Sequence, residues 1–293
     1  MNVLVTSAGS TNGVNIIKAL DKKVRITAVD CDELAAGLYM SDAWFVVPKS
    51  TDDKYIEVLT EIVLKDKIDV IFPAHSNEIK KLINSNLSNL LVISPIKAYE
   101  ITENKIMCKA FLNNIDIPTP KQYYDKFPMI VKPIVGTGSK NTVKVNDKKE
   151  LDFYLKKDMF YEEFIEGVEY TVIGISDFDK KMVCALPTIR LKTRGGMAVR
   201  SMSEDNPELV SIVKKVAENM KLAGVWNMQC IRKNNKYYFI DINNRFPAGS
   251  MPLATASGMN IPLILINILS GNKVTPNLVY DKTMLRYYES IIL

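Results

Sequence analysis

The sequence predicts an α/β protein: a Rossmann-like N-terminal half followed by a mostly antiparallel α+β remainder. Three observations carry this prediction. Up to about residue 97, short apolar strand patterns alternate with helical ones; such alternation means a parallel sheet with crossover helices. Beyond residue 98, short strands follow one another with few helices between them. The 293 residues, 47% hydrophobic and 24% charged, are enough to fill a large core in two or three subdomains.

Residues 2–6 read as a buried strand, 7–13 (SAGSTNG) as a turn, and 14–20 as a helix. Strands are expected at 24–30, 69–73 and 90–93, and helices at 55–65 and 78–84. The first turn has Gly9 and Gly13 but lacks the middle glycine of G-x-G-x-x-G. That argues against a dinucleotide, although Asp30 ends the second strand where a ribose-binding acid would sit. The turn more readily shapes a substrate cleft at the carboxyl edge of the sheet. Next comes a linker helix over 102–113, with Thr102 as N-cap, ending before Pro118-Thr119-Pro120. Strands are expected at 129–132, 141–145, 159–164, 170–176 and 182–186, with a helix at 147–155. Residues 207–222 read as a helix, 225–232 and 237–242 as a hairpin, and 252–270 as mostly helical. The expected segments are 1–97, 98–167 and 168–293.

Net charge is +5, from 38 basic and 33 acidic residues, scattered in a way that gives no nucleic-acid patch. The four cysteines show no metal-ligand spacing and suit a reducing cytoplasm. The chain opens directly on a strand, so no signal peptide is expected. The longest apolar run, 261–269, contains Asn267 and is too short to span a bilayer. No membrane or nucleic-acid partner is expected; a homodimer is the default for oligomeric state.

The richest stretch is YYFIDINNRFPAGS, residues 237–250. Asp241 and Asn243 are two apart, so on a strand they share a face, roughly 7 Å from each other. Ile240 and Ile242 would point to the other face. An acid and an amide side by side, with Arg245 beyond, suit Mg²⁺ and the phosphates it bridges. The preceding strand contributes through its register. A two-residue Asn-Asn turn would pair Gln229 with Ile240, on the wrong face; a three-residue loop, or one bulge, pairs it with Asp241. The longer loop is expected, bringing Gln229, Asp241 and Asn243 together. A solvent-facing polar strand is the plain alternative.

Two earlier stretches carry weaker signals. FPMIVKPIVGTGSK ends a strand at Lys132 and continues through Gly136, Gly138 and Ser139. Glycines there would let backbone N–H groups approach phosphate oxygens, or simply make a hairpin turn. FYEEFIEGVE, residues 160–169, reads as a hinge whose backbone could meet adenine and whose Glu169 could accept ribose hydroxyls. It reads equally as an acidic surface strand.

The fixed order of these pieces (Lys105, Lys132 with its glycine loop, EEFIEGVE, then Gln229, Asp241, Asn243 and Arg245) resembles the ATP-grasp superfamily over essentially the whole chain. It is most similar to the branch of the carbamoyl-phosphate synthase large subunit and the pyrrolysine-pathway ligase. VLVTSAG and VDCDELAAGLYMSDAWFVVP resemble that branch's pre-ATP-grasp domain. The resemblance implies an ATP-grasp fold: a Rossmann-like pre-ATP-grasp domain, an α+β lid and a C-terminal α+β subdomain that together clamp ATP. It implies that Lys105 and Lys132 bind the α- and β-phosphates and that Gly136–Ser139 form a phosphate lid. Glu162 and the backbone of Glu163 and Ile165 would hold adenine, and Glu169 the ribose. Gln229, Asp241 and Asn243 would hold two Mg²⁺, with Mn²⁺ as a substitute, and Arg245 would touch the terminal phosphate. Two positions depart from the pattern: Asp241 stands where glutamate is usual, and Asn104 where aspartate is common.

The resemblance further implies a carboxylate–amine ligase working through an acyl phosphate, with a small carboxylate and an amine as substrates. Such chemistry needs positioning and charge stabilisation rather than a Ser-His or Cys-His pair, and His75 indeed has no evident partner in sequence. Cations for the developing charge are Arg190, Lys192, Arg194 and Arg200 in TIRLKTRGGMAVRS, plus Arg245. Arg194 and Arg245 are preferred, and Gly195-Gly196 suggests a loop that closes over substrate. His75, Ser76 and Glu78 (PAHSNE) follow a parallel strand and would contact the second substrate or cap the next helix. Gly249 and Ser250 would present N–H groups to an anion. A non-catalytic ATP-binding module of a biosynthetic complex is the alternative from another class. Phosphorylation of a small molecule is a third reading.

Overall fold

A computed structural model of the chain describes residues 1–123, 125–136, 138 and 140–293. The N-terminal sheet is parallel, in the order β3-β2-β1-β4: β1 (Asn2–Val5), β2 (Arg25–Asp30), β3 (Ala43–Val46) and β4 (Val70–Phe72). Helices α1 (Thr11–Leu20), α2 (Tyr55–Lys65) and α3 (Ser76–Ile83) cross over its faces. Val3, Leu4 and Val5 are fully buried, as expected of a strand covered on both sides.

The differences from the sequence reading have local causes. α1 starts at Thr11 because the Ser10 side chain caps it, accepting from the Gly13 N–H at 3.1 Å. Strand β3 lies at the sheet edge with Trp44 and Val46 exposed, so no buried apolar run announces it. The strand expected at 90–93 contributes one bridge, Leu91 to Ile71. The first turn is closed over: Gly9 N–H and Asp32 N–H donate to the Asp30 carboxylate at 2.8 and 3.1 Å. A Cβ on Gly37 would come within 2.1 Å of the Ala8 carbonyl. Asp30 therefore braces its own loop rather than facing a dinucleotide crevice.

The linker is two helices, α4 (Ile96–Glu103) and α5 (Lys105–Asn114). Thr102 does not cap; its hydroxyl donates to the Tyr99 carbonyl inside α4. The cap is Asn104, whose Oδ1 accepts from the Ile106 and Met107 N–H groups at 3.0 and 3.1 Å, a task asparagine performs as well as aspartate.

The lid follows: β5 (Met129–Pro133), β6 (Val143–Val145), α6 (Lys148–Tyr154) and β7 (Met159–Glu163), with strand order β6-β5-β7. Met129, Val131, Val145 and Leu151 fill its small core.

The C-terminal sheet has the order β12-β11-β8-β9-β10-β13. Its strands are β8 (Val168–Ser176), β9 (Met182–Arg194), β10 (Met197–Ser203), β11 (Gly224–Lys233), β12 (Lys236–Asn243) and β13 (Thr283–Leu285). Helix α7 (Pro207–Met220) covers one face, packing Leu209, Val213 and Val216 against Val172, Trp226, Met228 and Ile242. Ile173, Ile175, Leu186 and Val225 face the other way. They join one continuous core with Val3, Ile16 and Phe72 of the N-terminal sheet and with α8 (Met251–Ala256) and α9 (Ile261–Leu269). The predicted basic loop at TIRLKTRGGMAVRS is instead a β9–β10 hairpin. Gly195 and Gly196 have φ of 55° and 73°, which makes them a tight turn of the kind that matches strand twist.

Candidate functional site

The β11–β12 register is settled by a bulge. The turn is the two-residue one, with Asn234 and Asn235 at φ 50° and 57° and Lys233 opposite Lys236, so the longer expected loop is corrected. Pairing runs regularly to Cys230 opposite Phe239, then shifts so that Gln229 faces Asp241 and Asn227 faces Asn243. Ile240 is the extra residue. Tyr237 and Phe239 before it, and Ile242 after it, all pack into the same core, while Asp241 and Asn243 share the opposite face. Ile240 itself does not share the Ile242 environment, as the sequence reading had it; it lines the cleft against the lid beside Phe160. A bulge also frees a carbonyl from the ladder, and the Ile240 carbonyl accepts from Lys132 Nζ at 3.1 Å.

That contact joins the lid to the sheet. Lys132, on β5, also reaches Glu162 Oε1, on β7, at 2.5 Å. Lys109 Nζ, one helical turn beyond Lys105 on α5, lies 3.5 Å from the other oxygen, Oε2. Glu162 thus sits buried between two ammonium groups. Burial pulls the Lys109 pKa down, and Glu162 opposes that. Lys105 Nζ donates to the Gly136 carbonyl at 2.9 Å, and its backbone N–H to Ile134, tying the start of α5 to the glycine turn. Lys105, Cys108, Lys109, Glu162 and Asp241 line this cleft. Burial pushes the Cys108 thiol up to about 12, which makes it inert filler. The Glu163 N–H is taken by the Lys121 carbonyl and its carboxylate by the Lys121 N–H, both at 2.8 Å. Ile165 is buried nearby.

Across Asp241 lies a second cavity, of about 130 Å³, lined by Thr171, Arg190, Gln229, Asp241, Asn243, Arg245 and residues 247–250, with Gly138 and the Gly195-Gly196 turn at its mouth. Arg190 is held rigidly: Nη1 donates to Thr171 Oγ1 at 3.2 Å and Nη2 to the Gly196 carbonyl at 2.9 Å. Its Nε is 3.3 Å from Glu169 on β8. Burial lowers its pKa and Glu169 counters this. Arg245 Nη2 donates to Asn243 Oδ1 at 3.0 Å, and Asn243 Nδ2 donates to Asp241 Oδ2 at 3.0 Å. Buried Arg245 Nε has no hydrogen-bond partner among the described residues. From α4, burial raises the Glu103 carboxyl pKa, with Arg245 opposing and Asp241 reinforcing.

Other expected residues lie elsewhere. Arg194 is exposed at the hairpin tip and lines neither cavity; an arginine four residues before it, Arg190, faces inward instead. His75 and Glu78 form the capping box of α3, and Ser76 is its first residue. Glu78 is 1% exposed and accepts from Thr6, Ser7 and Tyr55 hydroxyls at 2.6, 3.0 and 2.8 Å. For Glu78 the cap therefore replaces the substrate contact, because its oxygens are already committed; the substrate contacts of His75 and Ser76 stay proposals. Ser139 falls outside the described residues. Lys109, Thr171, Asn227 and Glu103 were missed. Only Lys109 left a trace, its i, i+4 spacing from Lys105 on one helix face.

Magnesium is tested by donor chemistry. Asp241 offers a carboxylate, and Gln229 and Asn243 offer hard amide oxygens, beside a cleft lined by lysines. Mg²⁺ commonly takes one or two carboxylates plus substrate phosphates, and this set fits that pattern. No cluster of three or more His, Cys, Asp or Glu side chains suited to a metal occurs among the described residues. The set therefore fits an ion delivered with phosphates rather than one caged by protein.

A family model described as an ATP-grasp domain matches residues 102–249, and one described as a PylC-like N-terminal domain matches residues 3–90. A carbamoyl-phosphate synthase of Methanobrevibacter smithii is 25% identical, with 88% of this chain and 77% of that protein covered. A 3-methyl-D-ornithine–L-lysine ligase of Methanosarcina barkeri is also 25% identical, over 68% of this chain and 55% of the relative; the chain thus spans little more than half of that protein. Among solved structures, the biotin carboxylase domain dimer of Hydrogenobacter thermophilus 2-oxoglutarate carboxylase, with MgADP, ADP and bicarbonate, superposes with a TM-score of 0.78. The identity is 16%, and 96% of this chain and 73% of that one are covered. The lid, the linker lysines and the bulged hairpin all fall within the 102–249 match, half of the sequence, and on that ground the chain belongs to the ATP-grasp family.

Proposed function

We propose that the chain is an ATP-dependent ligase that joins a small carboxylate to an amine, forming a C–N bond and releasing ADP and phosphate. The observation that carries this is the position of Asp241. It lines both the lysine-rich cleft and the arginine-lined cavity, so one carboxylate stands between a nucleotide side and a substrate side.

In the first step a substrate carboxylate oxygen attacks the γ-phosphorus of ATP. The bond to ADP breaks and an acyl phosphate forms. In the second, the amine nitrogen attacks the acyl carbon, the bond to phosphate breaks, and the nitrogen loses a proton. Lys105 and Lys132 face the α- and β-phosphates under the turn at Gly136 and Gly138. Glu162, with the backbone of Glu163 and Ile165, meets adenine, and Glu169 the ribose. Because the Glu163 N–H is already bonded, its carbonyl is the atom left for the base. Arg190 and Arg245 stabilise charge at the transferred phosphoryl group, where fixed cations in a dry site act most strongly. Gln229, Asp241 and Asn243 would hold Mg²⁺, as two ions, with Mn²⁺ able to replace it. Bound there, it would neutralise the negative charge of the phosphates.

The relative named 3-methyl-D-ornithine–L-lysine ligase joins two amino acids by its name, so amino acids are the first substrates to try. The test is a phosphate-release screen with MgATP over amino acids and other carboxylates, singly and with amines. Release that needs both partners supports the ligase. A stable phosphorylated product without amine dependence would instead make the chain a kinase. Nucleotide binding without release on any pair would make it a non-catalytic module.

A further inference from the structure

We infer that Arg286 and Asn15 are positioning residues that aim the Gly249 N–H at the phosphoryl anion; this rests on the ligase reading above. Residues 247–250 wall the arginine-lined cavity. Arg286 and Asn15 do not line it and stand behind that wall. Arg286 Nη2 donates to the Ala248 carbonyl at 2.9 Å and to the Gly249 carbonyl at 3.2 Å. Asn15 Nδ2, from α1, donates to the same Ala248 carbonyl at 3.3 Å. Two donors, from opposite ends of the chain, thus hold one carbonyl turned away from the cavity.

The consequence follows from peptide geometry. The sole cis bond among the described residues is Phe127–Pro128, so the 248–249 peptide is trans. In a trans unit the N–H points opposite to the C=O. Pulling the Ala248 carbonyl outward therefore turns the Gly249 N–H inward. None of the described hydrogen bonds uses that N–H, whereas the neighbouring Ser250 N–H is spent on the Pro247 carbonyl at 3.3 Å. Glycine lets the segment pack closely on β10: a Cβ at 249 would lie 3.0 Å from Ala198 N and 3.1 Å from Met197 Cγ. The clamp is itself anchored, because the Arg286 N–H extends the β10–β13 pairing by donating to the Val199 carbonyl at 3.0 Å. A guanidinium on the carbonyl side also polarises the peptide and strengthens its N–H as a donor. Arg286 Nε is buried and has no hydrogen-bond partner among the described residues.

The experiment measures inorganic phosphate binding to the MgADP-loaded protein by calorimetry, with MgADP affinity and melting temperature measured in parallel. The variants are Arg286→Gln, Arg286→Lys and Asn15→Ala. The expected result is MgADP affinity unchanged, phosphate affinity about tenfold weaker in Arg286→Gln, and a smaller loss in Asn15→Ala; a correctly aimed hydrogen bond to an anion is worth about that factor. Arg286→Lys should recover part of the loss, since it keeps the charge without the fork. Should Arg286→Gln not fold, Asn15→Ala carries the test alone. Phosphate affinity equal across wild type and variants overturns the inference. So does a parallel loss of MgADP and phosphate affinity, or a wild-type MgADP complex that binds no phosphate. Wild-type protein that does not bind MgADP fails the ligase reading first, and this inference with it.

Discussion

Glu162→Gln removes a carboxylate from between two ammonium groups and leaves both lysines buried. The Glu162 side chain is 6% exposed, Lys132 10% and Lys109 16%. Lys132 keeps the neutral Ile240 carbonyl at 3.1 Å, and the glutamine amide oxygen can accept from only one of the two lysines while its NH₂ faces the other. Breaking a buried pair by removing one member costs roughly 3–5 kcal/mol, a large share of a total stability of about 5–15 kcal/mol. The double variant Glu162→Gln/Lys109→Met deletes one of the stranded charges and should return part of the loss. Urea unfolding followed by tryptophan fluorescence and by circular dichroism reads both. A loss below about 1 kcal/mol, the size of an exposed pair, would show that Glu162 and the lysines are not a buried, mutually dependent cluster, as would a double variant no more stable than the single one.

Two further predictions follow from the same chemistry. Asn243 Oδ1 is engaged by Arg245 and Asp241 Oδ2 by Asn243, so metal alone should bind weakly; Mn²⁺ paramagnetic resonance should show tight binding only once ADP is added, and tight binding without nucleotide would contradict the donor assignment. Lys109 has a folded pKa below the usual 10.5, so the folded state releases that proton before the unfolded chain does. Stability relative to Lys109→Met should therefore rise as pH climbs from the folded value toward 10.5 and stay flat below it; a flat difference up to pH 10.5 would show that this lysine titrates normally.

The order of the pieces that line the cleft and the cavity was legible because each lies in a short contiguous stretch with its own glycine, acid or lysine signal. Buried strands such as β1 and β4 were legible for the same reason. β3 was not, because its edge position leaves Trp44 and Val46 exposed and removes the apolar run a buried strand shows. The hairpin register could be narrowed but not fixed. Asn234-Asn235 suits a two-residue turn, and the compensating bulge at Ile240 is linked to a lysine 108 residues away. The contacts of Lys109 and Arg286 were hidden similarly, since each reaches a partner from a distant segment. Glu78 misled for the opposite reason: its local capping signature was real, and the hydroxyls of Thr6, Ser7 and Tyr55 that occupy it are far away in sequence.

The most direct measurement compares wild type with Asp241→Ala in two assays: phosphate release with MgATP and a productive carboxylate–amine pair, and ATP binding in EDTA. The account predicts that release disappears while metal-free nucleotide binding persists within about twofold, a change far smaller than one well-formed hydrogen bond to a charged group would produce. Undiminished release by Asp241→Ala would contradict the assignment of this carboxylate to the phosphate-bound ion, and with it the catalytic reading of the cleft.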